Sequence, residues 1–181
     1  MEQLETARLI LRSFAERDAG DLYEYAADPR VGPAAGWQAH KSLEESRQTI
    51  RTVFSAPWVY AMEDRETGKV IGSAGFVDRH PEGVDPLRPD DEIGYALNPA
   101  FWGRGLMPEA VEELLRFGFE ERGLLRIWCG HYEGNEKSKR VIRKCGFHYR
   151  CTERAWVEAM GEYRVEHFYL LRRKDWLSRR T

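Results

Sequence analysis

One short segment constrains the fold of this chain more than any other. It reads Trp102-Gly-Arg-Gly-Leu-Met107 and lies between a strand-like stretch and the start of a long helical stretch. Glycine adopts backbone angles that other residues avoid, and it lets the backbone approach a ligand closely. The free N–H groups and the positive dipole end of the following helix favour an anion, most commonly a phosphate. The segment therefore predicts a phosphorylated cofactor at a strand–loop–helix junction.

Length and composition place this junction in a single domain over residues 1–181, with a core over about residues 4–171. Hydrophobic residues make up 42% of the chain, and the net charge is −2. We therefore expect no direct nucleic-acid partner, and we interpret the basic C-terminal residues as a solvated tail. No apolar run is long enough for a membrane span and no signal peptide opens the sequence, so a cytoplasmic protein is expected.

The cysteines and histidines show no metal-binding pattern. Cys129, Cys145 and Cys151 are odd in number and include no Cys-x-x-Cys pair, and the five histidines are scattered. We expect neither a disulfide framework nor a metal site. A covalent role for Cys129 or Cys145 is not expected either, because the first lies in an apolar strand and the second ends a helix.

Hydrophobic periodicity, caps and turn residues divide the chain into predicted elements. The predicted strands are residues 4–14, 58–63, 69–77, 91–98, 124–132, 147–160 and 162–171. The predicted helices are residues 15–27, 42–54, 106–122 and 135–145. Ser42 and Asn135 are the predicted N-caps of two helices. An acidic, proline-rich loop is expected over residues 80–91.

This order predicts an α/β (α+β) fold. We expect a mixed, largely antiparallel sheet of about seven strands flanked by about four helices, with a βαβ crossover in the second half. The last predicted strand, residues 162–171, is expected at an edge of the sheet. There it could pair with a second copy of the chain to form a homodimer, or it could be covered by the tail.

Three phosphate-binding patterns compete for the glycine loop. A P-loop requires Gly-x-x-x-x-Gly-Lys-Ser/Thr, which the chain lacks. A dinucleotide fingerprint requires Gly-x-Gly-x-x-Gly and a later acidic residue. Gly103 and Gly105 fit, but Pro108 takes the place of the third glycine, and the next strand has no acid at its tip. The third candidate is coenzyme A, and the segments on either side of the loop bear on it.

Two segments accompany the loop: Glu92-Ile-Gly-Tyr-Ala-Leu97 before it and Asn135-Glu-Lys-Ser-Lys-Arg-Val-Ile-Arg-Lys-Cys-Gly-Phe147 after it. Together with the loop they resemble the GNAT superfamily of N-acetyltransferases. The likeness is greatest to its branch of Rim-type acetyltransferases of ribosomal-protein N-termini. The opening Thr6-Ala-Arg-Leu-Ile-Leu-Arg12 and the segment over residues 36–45 resemble the same branch. Met107 departs from the superfamily pattern, which has a small residue at that position.

The resemblance implies acetyl-CoA as the cofactor. In the family, main-chain groups of the loop hold the pyrophosphate and those of the preceding strand hold the pantetheine arm. Ser138 is implied in cofactor binding, and either Ser138 or a nearby tyrosine is implied as the proton donor to the departing thiolate. The residues implied in cofactor binding are Tyr95, Ala96, Leu97, Trp102, Gly103, Arg104, Gly105, Leu106, Met107, Asn135, Ser138 and Arg140.

Glu92 is the predicted general base. Residues 92, 94 and 96 share one face of their strand, and the small Gly94 and Ala96 leave room for a substrate there. A carboxylate acting through water is sufficient for an α-amine with a pKa of about 7.7–8.0, whereas a lysine near 10.4 needs stronger help. Glu158 and His131 are weaker candidates for the base.

Trp37 and His40, with the loop over residues 31–36, are expected to bind the acceptor. The expected reaction is direct attack of a primary amine on acetyl-CoA in a ternary complex. A protein N-terminal α-amine is the first candidate acceptor, and a small amine such as a polyamine, an amino acid or an antibiotic is the alternative. A non-catalytic acyl-CoA-binding module is the alternative from a different class.

Overall fold

The computed structural model describes residues 2–77, 81 and 90–179, so most of the loop predicted over residues 80–91 lies outside the described residues. The strands are β1 Leu4–Glu5, β2 Leu9–Arg12, β3 Val59–Asp64, β4 Val70–Val77, β5 Asp90–Leu97, β6 Arg126–Tyr132, β7 His148–Val157 and β8 Glu162–Arg172. The helices are α1 Ala19–Ala26, α2 Gly32–Ala35, α3 Leu43–Thr52, α4 Leu106–Arg116, α5 Glu136–Lys144 and α6 Arg173–Ser178. Within the described residues, eight strands form one sheet in the order β1-β2-β3-β4-β5-β6-β8-β7.

The sheet is antiparallel except at its centre. β5 and β6 pair in parallel, and the other neighbouring strands pair antiparallel. The parallel pair arises because α4 carries the chain from the end of β5 back to the start of β6, which is the predicted βαβ crossover. The mixed, largely antiparallel α/β fold is therefore confirmed.

The larger part of the core lies between the sheet and α4. The helix contributes four buried residues on its inner face, Ala110, Val111, Leu114 and Leu115. Gly118 follows in a π-helical turn, and a Cβ there would lie 2.8 Å from Ile127 Cδ1. Glycine therefore lets the end of the helix lie close against β6. A smaller core on the other face of the sheet joins α1 and α3 to β5.

Both predicted N-caps are confirmed. Ser42 Oγ accepts a hydrogen bond from Glu45 N, and Asn135 Oδ1 accepts one from Ser138 N, each at 3.1 Å. The second cap fixes Ser138 in the first turn of α5. Among the described helices, none is both long enough and apolar enough to cross a membrane.

Three elements differ from the prediction. Residues 4–14 form two strands because the chain reverses between β1 and β2, where Thr6 N donates to Leu9 O at 3.0 Å. Part of the predicted loop over residues 31–36 forms the short helix α2. The basic C-terminal residues Arg172, Lys174 and Arg179 are exposed, as expected, but they lie in or next to the unpredicted helix α6, which buries Trp176 against Phe119 with ring centroids 5.4 Å apart.

The predicted position of the last strand was also wrong. β8 lies inside the sheet, because it pairs with β6 on one side and with its hairpin partner β7 on the other. β7 is therefore the strand at the edge. Any pairing of two copies through this edge would involve β7, and not residues 162–171.

Candidate active site

The site begins where the two parallel strands diverge. Their pairing runs from Asp90↔Arg126 to Glu92↔Trp128. Beyond this pair, β5 continues alongside β4, whereas β6 continues alongside β8. The edge of β5 that follows Glu92 therefore faces a gap in the sheet, where its main-chain groups are available to a ligand.

A cavity of about 1280 Å³ occupies this gap. Its walls include most of the predicted cofactor residues, namely Tyr95, Ala96, Leu97, Trp102, Gly103, Gly105, Leu106, Met107, Asn135, Ser138 and Arg140. Arg104 differs from this set, because its guanidinium turns back over the Phe101 ring, 5.0 Å from the centroid. A direct contact of the Arg104 side chain with the cofactor stays a prediction.

The glycine loop has the backbone that its sequence requires. Gly103 and Gly105 have φ angles of +76° and +77°, in the left-handed region that favours glycine. Gly105 is the N-cap of α4, so the free N–H groups of that helix face the cavity. Met107 is buried in the core, which accommodates its bulk.

Tyr95 and Ser138 form a hydrogen-bonded pair on the α5 side of β5. Tyr95 Oη and Ser138 Oγ lie 2.9 Å apart. Burial raises the pKa of Tyr95 well above its ordinary value, so the phenol keeps its proton at physiological pH. Tyr95 can therefore donate to Ser138 and leave the serine proton available to a second acceptor. The side-chain partner of Tyr95 lies on a distant helix, so the sequence indicated a role only for the Tyr95 main chain.

Replacing Tyr95 with Phe is expected to lower kcat about tenfold, the effect of losing one hydrogen bond. The affinity for acetyl-CoA, the cofactor that the sequence resemblance implies, should stay unchanged, because the main chain of β5 is preserved. The measurement is a thiol-release assay together with calorimetric titration of acetyl-CoA. Tyr149→Phe, at an exposed tyrosine of β7, is the matched control. An equal loss in both variants would contradict a role for the Tyr95 hydroxyl.

Glu92 lies on the face of β5 opposite to Tyr95. Ile93, Tyr95 and Leu97 pack in the larger core and Ala96 packs in the smaller one, which confirms the two predicted faces. The Glu92 side chain lines the cavity at 4% exposure. Glu92 is therefore a buried carboxylate at the point of divergence and not a solvated surface residue.

A second buried carboxylate, Glu166 of β8, reaches the same place. A Cβ on Gly130 of β6 would lie 2.6 Å from Glu166 Oε1 and 3.2 Å from Glu92 Oε1. Glycine at position 130 thus lets both carboxylates extend over the β6 backbone. Glu166 lines the cavity at 5% exposure. Glu166 was not among the predicted site residues, because its approach to Glu92 depends on the pairing of β8 with β6.

The weaker base candidates lie in different settings. His131 lines the cavity, and its Nδ1 donates to Tyr132 O at 2.9 Å. Burial lowers the pKa of His131, so the ring is neutral at pH 7. Glu158 accepts a hydrogen bond from Trp156 Nε1 at 2.7 Å in the β7–β8 turn, away from the cavity wall.

The two predicted acceptor residues also differ in position. Trp37 lines the cavity. His40 lies behind it, with ring centroids 5.3 Å apart and with His40 Nδ1 2.8 Å from Ser46 Oγ. His40 therefore supports Trp37 from outside the wall, and its contact with an acceptor stays a prediction. The adjoining helix α2 is anchored by Asn135, whose Nδ2 donates to Ala34 O at 3.1 Å.

The cysteines are not placed for covalent chemistry. Burial raises the pKa of Cys129, and the charge of Glu92 raises it further. Burial also raises the pKa of Cys145 to about 12. Both thiols are therefore protonated at neutral pH, where they are poor nucleophiles. Among the described residues, no group of three or more His, Cys, Asp or Glu side chains could hold a metal ion.

The diverging strands, the glycine loop and the buried carboxylate define an enzyme site suited to group transfer from a phosphate-bearing cofactor. Residues 8–148 match the family model described as Acetyltransferase (GNAT) domain. The chain therefore belongs to the GNAT family of acetyltransferases, and the predicted resemblance is confirmed.

Relatives in sequence and in structure agree with this family. The chain is 32% identical over 150 residues to the uncharacterized N-acetyltransferase YoaA of Bacillus subtilis (strain 168), over 80% of this chain and 81% of the relative. It is 23% identical to the ribosomal protein uS5-alanine N-acetyltransferase of Escherichia coli (strain K12), over 96% of this chain and 92% of the relative. The crystal structure of a GNAT-family acetyltransferase from Bacillus anthracis superposes with a TM-score of 0.82 at 22% identity, over 96% of this chain and 99% of that chain.

Proposed function

We propose that this acetyltransferase uses acetyl-CoA and acetylates a primary amine by direct attack in a ternary complex. The observation that carries the proposal is that Glu92 and the Tyr95–Ser138 pair face one cavity from opposite sides of β5. This arrangement supplies a proton acceptor and a proton donor on either side of one reacting centre. A cytoplasmic location is part of the proposal.

The chemistry of the cavity wall fits acetyl-CoA. The N–H groups of the glycine loop and of the first turn of α4 suit a pyrophosphate. Lys137, Arg140 and Lys144 of α5 bring positive charge to the same wall. The edge of β5 beyond Glu92 offers main-chain groups to the pantetheine arm. When bound, acetyl-CoA would supply an activated thioester carbonyl.

Two proton transfers fall to residues of this chain. Glu92 would take a proton from the acceptor ammonium, directly or through water, because only the neutral amine can attack. As the N–C bond forms and the C–S bond breaks, the nitrogen would lose its second proton to Glu92, which would already have passed the first proton to water. The Ser138 hydroxyl would give its proton to the departing sulfur and regain one from water, with Tyr95 holding Ser138 in position.

A protein N-terminal α-amine is the first acceptor that we propose. The relative named for acetylation of the ribosomal protein uS5 at alanine supports it. A single buried carboxylate is also a sufficient base for an amine with a pKa of about 7.7–8.0. A small polycationic amine is the second candidate, favoured by the buried Glu166 close to Glu92 across Gly130.

The test combines calorimetric titration of acetyl-CoA with a thiol-release assay against a panel of amines. The panel contains peptides with N-terminal alanine or serine, the same peptides with a blocked N-terminus, and polyamines. We expect acetyl-CoA binding and thiol release that requires a free primary amine. Tight binding without thiol release for any amine would favour the non-catalytic module and overturn the proposal.

A further inference from the structure

The glycine loop is held by a contact that reaches it from the start of the chain. Arg8, just before β2, donates from Nη1 to the carbonyl oxygen of Arg104 at 2.9 Å. Its Nε donates to Glu109 Oε2 at 2.7 Å, and its main-chain N donates to Glu109 Oε1 at 2.9 Å. Thr6 Oγ1 donates to the same Glu109 oxygen at 2.6 Å. Thr6, Arg8 and Glu109 form a group that we call the loop clamp.

The loop clamp acts on both parts of the anion site. The bond to Arg104 O lies between Gly103 and Gly105, the two residues that give the loop its shape. Glu109 lies in the first turn of α4, where a negative charge would compete with a bound anion for the helix end. Burial would raise the pKa of Glu109, but its hydrogen bonds with Thr6 and Arg8 outweigh burial and lower it. The carboxylate is therefore charged, and Arg8 compensates that charge.

We infer that Arg8 is a positioning residue for the pyrophosphate site: it holds the glycine loop in its binding shape and neutralises Glu109 beside the helix end. The guanidinium approaches the loop closely, since a Cβ on Gly105 would lie 3.7 Å from Arg8 Nη2. The inference rests on acetyl-CoA being the cofactor, as proposed above.

The test compares two acetyl donors. Arg8→Gln should weaken acetyl-CoA binding by about 10- to 100-fold, the expected effect of losing charged hydrogen bonds. It should leave kcat/KM for acetyl-pantetheine, which has no pyrophosphate, within about twofold of the wild type. Arg8→Lys keeps the charge but loses the planar fork, so its affinity for acetyl-CoA should lie between those of Arg8→Gln and the wild type.

The matched control is Arg65→Gln, which removes an arginine that binds the same N-terminal segment through Glu5 and Thr6 O. It should not change acetyl-CoA affinity. Wild-type affinity in Arg8→Gln would overturn the inference, and so would an equal loss for acetyl-CoA and acetyl-pantetheine, which would indicate a general folding defect. If the wild-type protein failed to bind acetyl-CoA, the proposed function would fail together with the inference.

Discussion

Replacing Glu92 with Gln is expected to lower kcat/KM by roughly 10²- to 10⁴-fold, the range for loss of a general base. The amide keeps the shape of the side chain but cannot take a proton from the acceptor. Acetyl-CoA affinity should not change, because the loop and the edge of β5 are untouched. The remaining rate should increase as the pH approaches the acceptor's own pKa, since free amine then forms without help.

The comparison uses two other glutamates. Glu153→Gln changes the same type of residue on β7, outside the cavity wall, and should leave kcat/KM unchanged. Glu166→Gln tests the second buried carboxylate beside Gly130. A larger loss of kcat/KM in Glu166→Gln than in Glu92→Gln would indicate that Glu166 of β8 is the base. Unchanged kcat/KM in Glu92→Gln at every pH would exclude Glu92 as the base.

Replacing Asp18 with Ala is expected to lower the free energy of unfolding by about 3 kcal/mol. Asp18 is 4% exposed and accepts two hydrogen bonds from Arg12, at 2.7 and 2.9 Å, and one from Ala15 N at 2.8 Å. Without the carboxylate, the two Arg12 N–H groups and the Ala15 N–H lose this hydrogen-bond acceptor. Arg12 retains its ion pair with Glu63 at 2.6 Å, so the effect should be at the low end of the range for broken buried pairs.

Denaturation in guanidinium chloride measures this loss. Asp28→Ala is the matched control, because Asp28 also holds an arginine by a fork of hydrogen bonds, but Arg30 is 63% exposed. Exposed pairs contribute about 1 kcal/mol or less, so this variant should lose much less stability. Similar losses in the two variants would show that burial of the Arg12–Asp18 pair does not govern its contribution.

Local patterns were enough to predict much of the site. The left-handed glycines at 103 and 105, the Asn135 cap that places Ser138, and the two faces of β5 all depend on neighbours within a few residues. Such features follow from backbone sterics and side-chain alternation. The glycine pattern therefore located the loop, and side-chain alternation together with the family resemblance indicated Glu92.

The parts that the sequence analysis missed depend on contacts between distant segments. Glu166 meets Glu92 only because β8 inserts between β6 and β7. Arg8 and Glu109 are about a hundred positions apart in the chain, yet one clamp joins them. The tail forms α6 because Trp176 has a core to enter. No local pattern specifies such pairings, since strand order and register arise from the whole sheet.

The alternation of side chains along β5 has a consequence for where the two substrates bind. Glu92 and Tyr95 belong to one strand but face opposite sides of the sheet. An acceptor on the first side and a cofactor on the second would meet at the open edge of the strand. Among the described residues, β5 thus separates an acceptor side of the cavity from a cofactor side. A ligand on one side would not occupy the space of a ligand on the other, so both could be bound at the same time.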